Sequence, residues 1–191
     1  ESLRIVTHGR SETSLLDAGY KELTLPPAKG DGLGPDGRFA LEPHALHIWP
    51  RGRFMLIALP NPDGNFTCTL FLPFTSTDGS PSFETLTTPE AAEAFFGTWF
   101  PDALERIPDL GQAFSAAPLG TMVTVHAWPW SHGPSLLLGD AAHGIVPFFG
   151  QGMNAGFEDV AILDSMLEER LTATPRDAID WSALFADFAI Q

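Results

Sequence analysis

Apolar and polar residues alternate along much of the chain, and a period of two is typical of β-strands. This pattern predicts strands at GYKELTLP (19–26), RFMLIAL (53–59), FTCTLFL (66–72) and TMVTVHAW (121–128). RFMLIAL is apolar on both faces, which predicts a strand covered on both sides. PNPDGN (60–65) predicts a hairpin between the second and third strands. Along the third strand Thr67, Thr69 and Phe71 share one face, which suits contact with a ligand or, equally well, a sheet packed on helices.

A helical period appears in three other stretches. TTPEAAEAFFGTWF (87–100) has a capping threonine, an early proline and an early acid, which together predict a helix start. MNAGFEDVAILDSMLEERL (153–171) predicts a long helix, and PRDAIDWSALFADFAIQ (175–191) predicts the start of another. DLGQAFSAAPLG (109–120) is predicted to be a connector, with a short helical turn inside it as an alternative. PSLLLGD (134–140) is predicted to be a short buried strand that ends at Gly139 and Asp140. The apolar positions of the long helix are Phe157, Val160, Ala161, Leu163, Leu167 and Leu171.

Composition narrows the possible partners. Ten Lys and Arg against 24 Asp and Glu give a net charge of −14, so nucleic acids and anionic membranes are not expected partners. Hydrophobic residues make up 44% of the chain, as in a globular protein. The lone cysteine, Cys68, is interpreted as a small strand hydrophobe. No apolar run reaches the roughly 18 to 20 residues that a membrane span needs, and no targeting segment is recognised, so we expect a cytoplasmic protein.

The two ends of the sequence predict that the chain is part of a longer protein. It begins with Glu1 rather than Met, and WSALFADFAIQ breaks off inside a predicted helix.

Glycine-rich stretches are the candidates for ligand contact. GLGPDG (32–37) matches the spacing G-x-G-x-x-G, but prolines precede it and no helical pattern follows, so a dinucleotide site is not expected there. The second stretch, LLLGDAAHGIVPFFGQGMNAGFEDV (136–160), places Gly150 and Gly152 at a predicted helix start. Unpaired N–H groups at a helix start favour an anionic or electron-rich ligand atom, and Asp140 is suited to accept from a ligand hydroxyl. The residues therefore predict a cofactor site, with a tight structural corner as the alternative.

The segment GDAAHGIVPFFGQGMNAGFED (139–159) resembles the second flavin-binding motif of the FAD-dependent aromatic hydroxylases. Three further segments are similar, in order and spacing, to the members of that family that act on L-kynurenine. They are GYKELTLP, ALHIWPRGRFMLIALPNPDGNFTCTLF (45–71) and PFFGQGMN (147–154).

The resemblance implies hydroxylation of L-kynurenine to 3-hydroxykynurenine with O2, FAD and NADPH, in tryptophan degradation. Because FAD carries the chemistry, no side chain is required as an acid, base or nucleophile. The implied FAD contacts are Asp140, Pro147, Gly150, Gln151, Gly152, Met153 and Asn154. The implied substrate pocket is lined by Leu46, Met55, Ile57, Leu59, Phe71, Pro147, Phe148 and Phe149.

The resemblance also implies an α/β fold, in which an α+β substrate sheet packs on part of a Rossmann-like FAD domain. We expect residues 1–18 to end one FAD-domain segment and residues 19–128 to form the substrate-side sheet with a helix near 88–100. Residues 129–191 are expected to form a second FAD-binding segment and to begin a C-terminal helix.

The chain lacks several parts of the family pattern. The N-terminal dinucleotide-binding unit, the Arg/Tyr pair for the substrate carboxylate and the C-terminal helical region are not found in this sequence. We therefore expect the isolated polypeptide to bind FAD weakly and to turn over no substrate. A related hydroxylase of another aromatic substrate and a non-catalytic fragment are the alternative functions.

Histidines and acids elsewhere are assigned no catalytic or metal-binding role. His44 and His47 lie an odd number of residues apart and would point to opposite strand faces, so no metal site is expected. A hydrolase triad is not expected either, because no G-x-S-x-G elbow is present. His143 is interpreted as ordering the loop before the long helix. Asp159 is interpreted as favouring the helix dipole, with cofactor contact as the alternative.

Overall fold

The alternating segments form a five-stranded sheet in the computed structural model, which describes residues 10–35 and 37–190. Residues 1–9, 36 and 191, which fall within the predicted terminal segments and the GLGPDG loop, lie outside the described residues. The strands are β1 Arg10–Leu25, β2 His47–Arg51, β3 Phe54–Pro60, β4 Phe66–Pro73 and β5 Gly120–Trp128. Their hydrogen-bonded order is β2-β3-β4-β1-β5, and the β2–β3, β3–β4 and β4–β1 pairs are antiparallel.

Along the sequence, the helices of the described residues all follow β4. Those with α geometry are α1 Pro89–Trp99, α2 Pro101–Leu104, α3 Leu110–Ala116, α4 Asp140–His143, α5 Gly152–Ala173 and α6 Trp181–Phe188. Short 3-10 helices are Phe83–Thr85, Pro147–Phe149 and Arg176–Ala178. A two-residue ladder joins β6 Ser131–His132 to β7 Ser135–Leu136.

The chain divides into two compact units. The central unit, so named for its place in the sequence, is Asp17–Thr121, and the terminal unit combines Glu1–Leu16 with Met122–Gln191. Residues up to 128 were expected in the substrate-side sheet, whereas the boundary between the two units falls within β5.

One face of the central sheet packs on helices. Leu56 of β3 and Leu70 of β4 are fully buried and share a core with Phe96 of α1 and Phe114 of α3. Lys21 lies on this face, where its Nζ donates to the Phe114 carbonyl at 2.6 Å, and burial lowers its pKa. The predicted face of β4 is confirmed, because its fully buried residues are Phe66, Cys68, Leu70 and Leu72.

The opposite face of β3 differs from the prediction. The expected cover on both sides is wrong for this face within the central unit, since Met55 and Ile57 are half-buried and Leu59 is 47% exposed. The alternation that places Phe54, Leu56 and Ala58 in the core necessarily turns their neighbours away from it. Described residues of the central unit therefore leave an apolar sheet face partly open.

Local sequence signals explain the ends of several elements. Thr88 caps α1 by accepting from the Ala91 N–H at 3.2 Å, as the sequence predicts. Gly64 closes the β3–β4 hairpin, where its N–H donates to the Asn61 carbonyl at 3.0 Å. The predicted strand at 19–26 is confirmed but starts earlier, at Arg10. The predicted connector contains the two-turn helix α3.

In the terminal unit, the predicted buried strand at 134–140 is wrong. Only Ser135 and Leu136 are in a ladder, Leu137 and Leu138 are half-buried, and Asp140 begins α4. Three consecutive leucines suit a buried strand, but the only ladder partner among the described residues is the two-residue β6. The unit's buried core includes Leu184 and Phe188 of α6.

The predicted long helix is confirmed as α5, yet its apolar positions are not buried among the described residues. Phe157 is 64% exposed, and Val160 and Leu171 are also exposed. Asp159 is the buried residue of this helix. Leu33 of the GLGPDG loop forms an isolated bridge with Phe39, and among the described residues β2 rather than a helix follows the loop.

Candidate functional site

An open cavity in the terminal unit collects most of the residues predicted to hold a cofactor. Its volume is about 580 Å³, and α4, the 3-10 helix Pro147–Phe149 and the start of α5 surround it. It brings together five of the seven predicted contacts with three further residues. Its lining residues are Gly139, Asp140, Ile145, Pro147, Gly150, Gly152, Met153 and Gly156.

Glycine is required at two points of this cavity. Gly150 has φ 63° and ψ 26°, a left-handed conformation, and a Cβ built there meets no atom within 4 Å. Gly139 has φ 54° and ψ −139°, a region essentially restricted to glycine. The first glycine leaves open space at the cavity, and the second turns the chain so that Asp140 can begin α4.

The start of α5 faces this cavity. Gln151 occupies the N-cap position without a side-chain cap, and a Cβ on Gly152 would lie 3.9 Å from Asp140 Oδ1. The first N–H groups of a helix have no carbonyl one turn earlier to accept from them, and they carry a partial positive charge. The site therefore combines an exposed carboxylate with helix N–H donors, a combination that can bind a ligand with both hydroxyls and electron-rich ring atoms.

Two predicted contacts lie beside this cavity rather than in its lining. Asn154 Nδ2 donates to Gln151 Oε1 at 3.0 Å, so the side chains of these two residues are joined at the start of α5. Pro147 is exposed at the cavity and Phe148 is half-buried. The side chain of Phe149 lies outside the described part of the chain.

A buried carboxylate holds the turn that lines this cavity. Asp159 is 8% exposed, and its Oδ2 accepts from the Gly139 N–H at 2.7 Å and lies 2.7 Å from His143 Nε2. The ordering role predicted for His143 thus has a partner, which the sequence analysis did not identify.

The other candidate residues lie in the central unit, on the open face of its sheet. Met55 of β3 pairs with Phe71 of β4, and Ile57 pairs with Thr69. Leu59 lies opposite Thr67, and Phe71 is buried with its ring 6.2 Å from that of Tyr20. These neighbours form an apolar strip bordered by two threonines.

Leu46 directly precedes β2 and is 49% exposed. Ile48 pairs with Ile57, so strand alternation places Leu46 on the open face as well.

No group of three or more His, Cys, Asp or Glu residues suited to a metal occurs among the described residues. Within the same ranges no helix is long and apolar enough to cross a membrane.

Known proteins are similar to this chain over most of its length. A family described as "FAD binding domain" matches residues 105–180, which include α4 and all of α5. Kynurenine 3-monooxygenase of Myxococcus xanthus (strain DK1622) is 56% identical over 174 residues, covering 91% of this chain and 34% of that protein. The chain is thus similar, over nine-tenths of its length, to a segment of a kynurenine 3-monooxygenase.

A second relative has the same name and comes from a distant organism. Kynurenine 3-monooxygenase of Dictyostelium discoideum is 50% identical over 158 residues, covering 82% of this chain and 32% of that protein. The chain spans about a third of the length of these relatives.

Solved structures support the fold. The tetrameric form of 2-methyl-3-hydroxypyridine-5-carboxylic acid oxygenase has a TM-score of 0.63 and 18% identity, covering 95% of this chain and 44% of that one. Klebsiella pneumoniae HpxO complexed with FAD and uric acid has a TM-score of 0.61 and 16% identity, covering 94% and 41%.

The residues of the terminal unit fit the family's cofactor. Side chains at residues 150 and 152 would fill space at the cavity, whereas glycines leave the backbone accessible to a flat ring. Asp140 is exposed at the same cavity and can accept from a hydroxyl. The absence of a side-chain cap at Gln151 leaves the start of α5 open to a ligand acceptor.

Three residues that line the cavity, and the supporting contacts of Asp159, were not predicted from the sequence. Gly156 follows Gly152 by four residues, so the helical period alone could have placed it at the cavity. Ile145 and Gly139 had no comparable signal beyond their position in the motif. No sequence signal indicated that Asp159 is buried, because an acid near a helix start is ordinarily solvated.

Proposed function

We propose that the protein containing this chain is an FAD- and NADPH-dependent monooxygenase that hydroxylates L-kynurenine to 3-hydroxykynurenine. The observation that carries the proposal is a cavity suited to FAD in a chain that is 56% identical to a kynurenine 3-monooxygenase. The overall reaction consumes kynurenine, O2, NADPH and a proton, and yields 3-hydroxykynurenine, NADP⁺ and water. When bound, FAD supplies the electron transfer and oxygen activation.

The terminal unit would bind and orient the cofactor. Asp140 would accept a hydrogen bond from a cofactor hydroxyl, and the N–H groups of Gly152 and Met153 would donate to electron-rich ring atoms. Gly150 would allow the ring to lie against the backbone. Fixed donors of this kind stabilise negative charge without reorganising during the reaction.

The open sheet face of the central unit would bind the aromatic ring of the substrate. Met55, Ile57 and Phe71 provide an apolar surface, and Thr67 and Thr69 provide hydroxyls at its border. Such a surface excludes water from the reacting atoms, and it requires no acid, base or nucleophile from the chain. An electron-rich aniline ring is a substrate that suits this surface.

The test uses the full-length protein that contains this chain, purified with FAD. Flavin reduction by NADPH is measured with and without L-kynurenine, and the product is identified by mass. Faster reduction with kynurenine and a product heavier by one oxygen atom are expected. Peroxide without a hydroxylated product would overturn the substrate assignment, and a protein without bound flavin would overturn the cofactor site.

Two substitutions test the cofactor cavity and the open sheet face independently. Asp140→Ala is expected to raise the Kd for FAD, because it removes an acceptor at the cavity. Ile57→Asp is expected to raise KM for kynurenine with the FAD Kd unchanged, because it places a charge on the apolar face. Each variant therefore serves as the control for the other, and equal loss of FAD binding in both would contradict the assigned roles.

A further inference from the structure

Asp159 is the charged side chain that the described residues bury most fully. With Ser82, it is one of the two polar residues in the buried set. A buried carboxylate is costly unless hydrogen bonds or an opposite charge compensate for lost hydration. Asp159 has hydrogen-bonding partners, because one oxygen accepts from the Gly139 N–H at 2.7 Å and lies 2.7 Å from His143 Nε2. This arrangement needs an explanation beyond the favourable position of an acid near a helix start.

The partners of Asp159 lie at the two ends of α4. Gly139 directly precedes Asp140, the first residue of the helix, and His143 is its last residue. Backbone N–H groups of Ala142 and His143 both donate to the Gly139 carbonyl at 2.9 Å. One carboxylate oxygen on α5 therefore holds the entry and the exit of the short helix that presents Asp140.

The same turn lies near α5 at a second point. A Cβ built on Gly156 would lie 3.7 Å from the Gly139 Cα, which is an ordinary van der Waals distance. Gly156 and Asp159 are three residues apart and lie on neighbouring positions of the helix surface. The Trp130 ring lies 5.1 Å from the His143 ring between centroids. His143 thus contacts an aromatic ring as well as the buried carboxylate.

We propose that Asp159 is a positioning residue that acts through Gly139 and His143 to hold Asp140 at the cofactor cavity. This inference rests on the proposed function, since it gives Asp140 the role of a cofactor contact. Asp159 itself is absent from the lining of the cavity, and its oxygen is engaged by the turn. Its effect on the cofactor is therefore indirect.

The test is FAD affinity in the full-length protein, with substitutions that remove the contacts separately. Asp159→Asn keeps an oxygen for the Gly139 N–H but loses the charge that faces His143, and Asp159→Ala loses both. His143→Gln removes the imidazole ring that contacts the Asp159 carboxylate. Glu158→Gln is the matched control, because Glu158 is the exposed neighbour on the same helix.

We expect Asp159→Ala to raise the FAD Kd by ~10-fold or more, as loss of a hydrogen bond to a charged group predicts. Asp159→Asn and His143→Gln should give smaller increases, and Glu158→Gln none. The visible circular dichroism of the bound flavin should change in the order Ala, Asn, control. Thermal unfolding of the FAD-free variants is measured alongside as a readout of stability alone.

The outcomes separate this inference from the function on which it rests. Wild-type protein that binds FAD, with Asp159→Ala binding equally well, would overturn the positioning role only. Reduced apo-protein stability with an unchanged Kd and flavin spectrum would overturn it as well, and would leave Asp159 as a structural carboxylate. Wild-type protein that binds no FAD would overturn both.

Discussion

Cys68 illustrates how burial decides the chemistry of a single residue. The side chain is fully buried on the packed face of β4, and burial raises the pKa of its thiol from 9.0 to about 12, with a backbone hydrogen bond to Leu25 offsetting only part of that increase. The thiolate is the reactive form of cysteine, so the folded protein holds Cys68 in an inert state. The residue acts as a small hydrophobe, which agrees with the interpretation of its sequence context.

Stability should fall at alkaline pH because of this thiol. The folded state keeps a proton that the unfolded state loses above pH 9, so the contribution of Cys68 is intact below that pH and is lost as pH rises toward 12. Within that window the free energy of unfolding is expected to fall by about 1.4 kcal/mol per pH unit because of Cys68. Urea unfolding measured between pH 8 and pH 11 checks it.

Cys68→Ala is the control for this measurement. It lowers stability at pH 8 through the cavity it leaves, but its pH dependence should be shallower by one proton. Lys21, whose pKa burial lowers, titrates in both proteins, so the difference between the slopes isolates Cys68. The same pH dependence of the free energy of unfolding in the two proteins would contradict the raised pKa of the buried thiol.

Residues of the candidate site could be predicted where their signal is local in sequence. Asp140, Gly150 and Gly152 belong to one continuous motif, and the cavity brings them together. The contact between Asp159 and His143 joins residues 16 positions apart, and it depends on how α4 meets α5. Nothing in the spacing of an acid and a histidine indicates that contact, so only coordinates could supply it.

At the scale of elements, sequence periodicity predicted whether a long segment is a strand or a helix. It was less successful in predicting which faces of that segment are buried. The strands β3, β4 and β5 and the helices α1 and α5 follow their patterns. The leucines before Gly139 failed as a strand, because a ladder needs a partner strand as well as apolar residues. The apolar stripe of α5 likewise predicted a helix without showing whether the described chain covers it.

Two phenylalanines on different helices test this distinction between pattern and burial. Phe96 of α1 is fully buried, whereas Phe157 of α5 is 64% exposed. Phe96→Ala should lower the free energy of unfolding by about 3–5 kcal/mol through lost burial and a cavity. Phe157→Ala should change it by less than ~1 kcal/mol, as expected for a surface position.

Urea unfolding of the 191-residue chain, followed by circular dichroism, provides this comparison. Each variant serves as the reference for the other because the chemical change is identical. A cost at Phe157 as large as that at Phe96 would mean that α5 is covered in solution.

At the scale of the whole molecule, the two groups of candidate residues belong to different compact units. Cofactor candidates lie in the terminal unit, and the apolar sheet face with Met55 and Ile57 lies in the central unit. The substrate pocket was implied only by the resemblance to a family, and it also included Pro147, Phe148 and Phe149 of the terminal unit. Neither periodicity nor composition distinguishes a substrate surface from ordinary core. The apolar face of β3 was interpreted as covered for that reason.

The isolated chain should retain its fold without the activity proposed for the full-length protein. It spans about a third of its relatives' length, and no strand–G-x-G-x-x-G–helix unit is found among its described residues. A site that supplies Asp140 and the start of α5 alone makes only part of the contacts that a large cofactor needs. We therefore expect FAD binding at least ~100-fold weaker than in the full-length protein, a loss of about 2.7 kcal/mol in binding free energy.

Flavin fluorescence titration of both proteins measures this difference, and NADPH oxidation is followed with and without L-kynurenine. The isolated chain should show no kynurenine-dependent oxidation, because substrate turnover requires a cofactor held in a fixed orientation. Protection of Cys68 from a thiol reagent, lost on adding urea, verifies that the central unit of the isolated chain is folded. Kynurenine-dependent turnover by this chain alone would contradict the prediction and would show that these 191 residues contain a complete active site.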